Sequence, residues 1–198
     1  MRLPWLYRLF QRLVGGDNLR RILSRDYIQA EPGQRLLDLG CGPGDLVPYL
    51  PQTDYYGLDA NGAYLQDARS RFGLAAECCF QQELGPGSQL PEGPFHRIVA
   101  LGLLHHLDDA SVEWLLAQAS SRLAQGGHWT SIDPCYHRGQ SWWSRWWVSR
   151  DRGQHVRPLE VYAQMARQHF GQVECYLRQG LIHLPYSHCI LVCRERRA

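Results

Sequence analysis

The stretch RLLDLGCGPGD (Arg35–Asp45) decides how this chain is read. Its first half is a short apolar run that ends on glycines, the pattern of a buried strand entering a turn. Glycines at 40, 42 and 44 allow a tight turn and let a ligand press against bare backbone where a helix begins. A short helix is expected from Gly44, limited by Pro48 and Pro51. DYYGLD (Asp54–Asp59) then reads as a second strand whose last residue is an acid, nineteen positions after Gly40. A Rossmann-like fold places there the carboxylate that holds two ribose hydroxyls. Glycines alone are a weak signal; strand, glycines, helix, strand and acid in this order are a strong one.

The ligand is narrowed by one position. A dinucleotide fingerprint wants G-x-G-x-x-G, and the sixth position here is Asp45. A carboxylate beside a pyrophosphate is repulsive. Glycines flanked by an acid on each side, Asp38 and Asp45, suit a ligand with a ribose and an ammonium but no phosphate; S-adenosylmethionine is such a ligand.

Outward from this core, strands and helices alternate. A helix is expected over residues 17–30, a helix from Gly62 to Phe72, a third strand at AAECCF, and a Gly- and Pro-rich loop after it. HRIVALG is a fourth strand, DASVEWLLAQASSRLA a helix, GGHWTSID a fifth strand, and Leu159–Phe170 a further helix. QVECYLRQG and HCILVCRE leave no room for a helical crossover and should pair antiparallel. The expected class is α/β: a Rossmann-like, seven-stranded, mostly parallel sheet with helices on both faces and a C-terminal antiparallel hairpin. One domain is expected over 1–198, with N-terminal helices in 1–30 and an inserted segment at 134–158.

LLDLGCGPG, YYGLDAN, FHRIVALGLLHHLDD and GGHWTSIDP resemble the successive motifs of class I S-adenosylmethionine-dependent methyltransferases, over roughly residues 17–133. The resemblance implies transfer of the methyl group to a small-molecule acceptor, leaving S-adenosylhomocysteine. It assigns Asp38, Gly40, Cys41, Gly42 and Gly44 to the methionine and ribose part of the cofactor, and Asp59 to the ribose hydroxyls. Ala60 and Asn61 would lie beside the adenine, with Gln82 or Glu83 near its amine, and Leu101 and Gly102 along the cofactor. His105 and His106 follow the fourth strand, where such enzymes act; each is either a general base or substrate contact, or a structural loop residue. The similar ubiquinone-type O-methyltransferases carry glutamates in this loop, which this chain lacks, so no metal is expected. O-methylation is favoured, since no NPPY-like sequence follows the fourth strand.

Composition sets further bounds. All 21 basic residues are arginine, which removes Schiff-base and P-loop lysine chemistry. The seven cysteines form no C-x-x-C pair and no secretory signal precedes them, so reduced thiols and a cytoplasmic setting are expected. Cys189 and Cys193 share one face of a strand and read as core. Charge is uneven: an acidic middle separates basic ends, which favour an anionic partner if they line the entrance.

The inserted segment SWWSRWWVSRDRG (Ser141–Gly153) has four tryptophans within a helical arc of roughly 140°. A spanning helix fails on length, and the acidic core argues against a nucleic-acid platform. A substrate lid or pocket wall is favoured over a buried packing helix. Tyr136, Trp143, Trp147, Arg150, Arg152 and Arg157 are then candidate substrate contacts, the arginines for a carboxylate or phosphate. Trp5, Leu6, Leu9 and Leu13 define an amphipathic N-terminal face that either packs or touches a membrane or substrate. Two rivals stay open: a methyltransferase-like binding protein without turnover, and a peripheral membrane enzyme acting on lipids or quinones. Oligomeric state is not legible.

Overall fold

The computed structural model describes residues 13–75, 78–150 and 153–197. Its elements run α1 (Gly16–Leu23), a π-helical turn (Ser24–Ile28), β1 (Arg35–Leu39), β2 (Asp54–Asp59), α2 (Gly62–Phe72) and β3 (Cys79–Gln81). β4 (Phe95–Leu101), α3 (Asp109–Ser121), β5 (Leu123–Pro134), α4 (Trp142–Ser149), α5 (Leu159–His169), β6 (Phe170–Gln179) and β7 (Ser187–Arg196) follow. The strands form one sheet in the order β3-β2-β1-β4-β5-β7-β6. The first five are mutually parallel, and β7 runs antiparallel between β5 and β6. The expected α/β class and closing hairpin are therefore present.

Alternation along the strands sorts the core into two layers. Leu37, Leu39, Ile98, Ala100, Trp129, Leu191 and Cys193 pack beneath α3 and α5. Leu36, Val99, Ile132, Ile190 and Val192 face the other way, against Leu23, Tyr27 and Ile28 and against Leu65 of α2. Period two on the sheet thus meets helical spacing on both sides. Cys189 and Cys193 lie in one layer, as their spacing implied.

Two local expectations are corrected. The helix from Gly44 is a series of turns ending in a 3-10 turn at Val47–Tyr49, because Pro48 removes a backbone donor. The third strand is short, Cys79–Gln81, pairing only with Gly57–Asp59 at the sheet edge; residues 76 and 77 lie outside the described residues. The N-terminal face at Trp5, Leu6 and Leu9 also lies outside them. No helix among the described residues is long and apolar enough to cross a membrane.

The N-terminal helical layer is tied to the sheet through its last carbonyls, which have no partner within the helix. Arg97 of β4 donates Nε–H to the Ile28 carbonyl at 2.7 Å and Nη2–H to that of Gln29 at 2.8 Å. His128 of β5 meets the Tyr27 carbonyl through Nε2 at 2.9 Å, and Thr130 donates to the same oxygen at 3.3 Å. Burial, with Arg97 close by, pushes His128 down to about 4.

Two outcomes follow from this clasp. Arg97→Ala leaves the Ile28 and Gln29 carbonyls without their donor and should lower the unfolding free energy by about 2–3 kcal/mol, read in urea titration. His128 is neutral in the fold, whereas the unfolded chain protonates it below about 6.5. Its contribution is therefore complete above that pH and is lost as pH falls towards about 4. His128→Gln, which keeps a donor but no titration, should flatten stability across that window.

Candidate functional site

The glycine turn sits at the carboxyl end of β1, where parallel pairing places β2 alongside: Leu39 is opposite Leu58. The amides of Gly40 and Cys41 both donate to the Leu58 carbonyl, at 2.8 and 2.9 Å. Gly40 has φ +73°, and a β-carbon there would stand 3.0 Å from Leu103 Cδ1. Gly42 has φ +54°, and a β-carbon there would meet nothing within 4 Å, so bare backbone faces open space. Arg71 of α2 steadies the turn, donating to the Pro43 carbonyl at 3.0 Å and to Asp45 at 2.9 Å. Arg20 of α1 stands 3.6 Å from the other Asp45 oxygen. Asp45, the residue that argued against a pyrophosphate, is thus a structural tie.

Asp59 joins two turns. Its Oδ2 accepts from the Gly42 amide and its Oδ1 from the Asn61 amide, both at 2.8 Å. Burial raises its pKa, and these two backbone donors oppose the rise. Each carboxylate oxygen retains a second lone pair for a ligand donor. Asp38 is buried beneath the turn and accepts from the Tyr55 hydroxyl at 2.8 Å; burial pushes it up to about 7, the hydroxyl pulling the other way. The Cys41 thiol is buried against Gly57, and burial raises its pKa far above the ordinary range.

The remaining cofactor candidates divide. Asn61 caps α2, its side chain accepting from the Ala63 amide at 3.0 Å, and Ala60 is exposed beside it. The Gln82 amide is engaged with the Gln89 backbone, at 2.8 and 2.6 Å, and Glu83 is exposed. Gln81, not singled out from sequence, donates to the Ala60 carbonyl at 3.4 Å and stands closer to the β2–α2 turn. Gly102, just beyond Leu101, has φ +67° and donates to the Ile132 carbonyl at 2.8 Å.

The two histidines after β4 have different surroundings. His105 is buried, and Asp133, at the end of β5, accepts from both its backbone amide (3.1 Å) and its Nδ1 (2.8 Å). Asp133 is itself 2% exposed. Its Oδ2 has no hydrogen-bond partner among the described residues. Burial raises the Asp133 pKa, while His105 holds it down. His106 is exposed, its ring 4.1 Å from that of His105.

Arg157 holds this loop. Its guanidinium donates to the carbonyls of Leu104 (2.9 Å), His155 (3.0 Å) and Leu107 (2.8 Å). It also donates twice to Asp109 Oδ1, at 2.9 and 2.6 Å. Every N–H of the guanidinium fork is thereby occupied. The expectation that Arg157 meets a substrate anion gives way to that of a clamp. His155 donates its amide to the His105 carbonyl at 3.0 Å, and Gly153 packs so closely on the His105 ring that a β-carbon would stand 2.0 Å from Cδ2.

The inserted segment is closed at its neck where Tyr136 pairs with Pro158, and the Arg145 guanidinium lies 5.0 Å from the Tyr136 ring centre. On α4 the buried residues are Ser144 and Val148. Trp143 is exposed and Trp147 half-buried, so the aromatic arc is neither core nor the lining of a closed pocket. Arg150 lies over the Trp146 ring at 4.7 Å; Arg152 falls outside the described residues. A pocket of about 330 Å³ opens beside α4, lined by Ser141, Ser144, Gln179, His183 and Tyr186 among others. Under it the Ser187 hydroxyl meets Ser144 (3.0 Å), Gln179 (3.1 Å) and His137 (3.1 Å). Sequence reading does not single out these serines and glutamines, because isolated Ser and Gln carry no spacing signal.

Asp59→Ala should weaken S-adenosylmethionine at least about tenfold in calorimetric titration, since a charge-assisted hydrogen bond contributes about 1.5–3 kcal/mol. Arg157→Ala should lower the thermal midpoint and loosen the 104–109 loop, measured as faster amide exchange there.

Residues 7–168 match a family model described as a methyltransferase domain. An uncharacterised methyltransferase of Synechocystis sp. is 30% identical over 145 residues, 70% of this chain and 66% of that protein. The YcgJ protein of Bacillus subtilis has the same fold, with a TM-score of 0.65 at 15% identity over 92% of this chain and 100% of that one. Human N-acetylserotonin methyltransferase, solved in complex with S-adenosylmethionine, has a TM-score of 0.64 at 14% identity, over 97% of this chain and 55% of that one. With the glycine turn, Asp59 and the β5-β7-β6 edge in place, the chain belongs to the methyltransferase-domain family, the class I S-adenosylmethionine-dependent methyltransferases.

Proposed function

We propose that this protein methylates a hydroxyl of a small molecule, with His105 as general base. The supporting observation is the buried pair of His105 and Asp133, brought together from the ends of β4 and β5 at the carboxyl edge of the sheet. Ligands of open α/β folds gather at that edge. The bare backbone at Gly42 and the two accepting oxygens of Asp59 fit the ribose end of S-adenosylmethionine. When bound, that cofactor supplies an electrophilic methyl group on a sulfonium. The protein's own task is then to align an oxygen nucleophile and accept its proton.

His105 is suited to the second task. Donation from Nδ1–H to the Asp133 carboxylate makes Nε2 the basic nitrogen and supports the positive charge it acquires. The hydroxyl proton would pass to Nε2 of His105 as the acceptor oxygen takes the methyl group that the bound cofactor would supply, with S-adenosylhomocysteine as the product. Arg157 and the 153–155 segment act as positioning groups by fixing the loop that carries His105. Arg150 and Arg152 remain the candidate arginines for an anionic acceptor, with His106, Tyr136, Trp143 and Trp147 as further candidate contacts.

His105→Ala should lower kcat by roughly 10²–10⁴-fold while calorimetric affinity for S-adenosylhomocysteine is retained. Asp133→Asn should lower kcat and leave the acceptor KM nearly unchanged. A His105→Ala enzyme with full turnover on a hydroxyl acceptor would remove the base assignment. Absence of turnover in the wild type across phenol, carboxylate and amine acceptors, with the cofactor bound, would favour a binding protein.

A further inference from the structure

Neither the glycine turn nor the His105 loop accounts for the exposed face of α4. Trp142 is 65% exposed, Trp143 54% and Trp146 40%. Their rings form a continuous cluster: Trp142 and Trp143 stack at 3.8 Å, and Trp146 meets Trp143 at 6.5 Å and Trp147 at 5.3 Å. The helix is anchored from behind through Ser144 and Val148, so the tryptophans are held outward by the fold. Arg138, Arg145 and Arg150 accompany them, and residues 134–150 contain no acid. Leu13, another exposed apolar side chain, is on the same rim. Its carbonyl is 3.0 Å from His183 Nδ1, and His183 lines the pocket together with Ser141 at the start of α4.

We propose that this face docks on an anionic phospholipid bilayer. Indole rings settle at the level of the lipid headgroups, where the ring is apolar and its N–H stays wet. Arginines beside them add attraction to a negative surface. Eight residues of helix are too few to bind as a free peptide, but here the domain holds them folded. A bilayer fits an outward aromatic face on a segment, residues 134–150, that carries cations and no acid.

The test is flotation of the full chain with vesicles of phosphatidylcholine alone and of phosphatidylcholine mixed with phosphatidylglycerol, without cofactor. The readout is therefore independent of methyl transfer. The wild type should float with the mixed vesicles, less so as salt is raised, and its tryptophan emission should shift to the blue. Trp142→Ser/Trp146→Ser should lower the partition coefficient by about tenfold or more. Arg138→Glu/Arg145→Glu should do the same, since each cation near such a surface counts for about fivefold. Failure of the wild type to float, or equal flotation of all three proteins, would overturn the proposal. So would a dimer in sedimentation, or binding of a single-stranded oligonucleotide, that the tryptophan variant abolishes while flotation persists.

Discussion

The carboxylate of Asp59 is the bond on which the head of this domain depends. One oxygen holds the Gly42 amide in the turn after β1, the other holds the Asn61 amide at the start of α2. Parallel pairing of β1 and β2 puts that acid within reach of the turn, because Leu39 and Leu58 lie side by side. Remove the acid and two backbone donors lose their acceptor, so the glycine turn would lose its shape. Arg71 and Arg20 reinforce the geometry from outside through Asp45. The surface of the turn is thus mostly backbone, held in shape by the side chains of Asp59, Arg71 and Asp45.

The second half of the site is built on a similar plan around a different centre. The loop after β4 has little regular structure, a 3-10 turn at Leu104–His106, and it could not hold His105 by itself. Asp133 fixes the ring and the backbone amide from beneath, while Arg157 fastens the neighbouring carbonyls from above. The inserted segment is therefore more than a cover. Its far end returns as the clamp, and its near end projects α4 and the tryptophans. The clamp and the aromatic face belong to one connected segment, closed at the neck by Tyr136 and Pro158.

Much of this was legible in the residues. Gly62–Phe72 reads as a helix from its spacing, and the structure has that helix with Asn61 as cap and Gly73 beyond its end. The closing hairpin follows from two strand patterns with no room for a crossover. The arc of tryptophans was also legible, but not its direction. An aromatic stripe at helical spacing can face core, ligand or solvent, and only the anchoring of Ser144 and Val148 decides which. Arg157 was misread for a related reason. An arginine near a pocket looks the same in sequence whether its N–H groups are open or filled by carbonyls.

The order of strands and helices, the glycine turn and the acid after β2 are written in local patterns. They depend on neighbouring residues and on periods of two and 3.6 along the chain. The partners of buried polar groups are not written there. His105 meets Asp133 across 28 positions, and Arg157 meets Leu104 across 53. Such pairs cost desolvation unless geometry completes every bond, and that geometry exists only once the sheet is assembled. Sequence pattern set the architecture and the glycine turn with its acid. Tertiary packing alone chose which histidine is held by a carboxylate, which arginine is spent on the loop, and which face the tryptophans present.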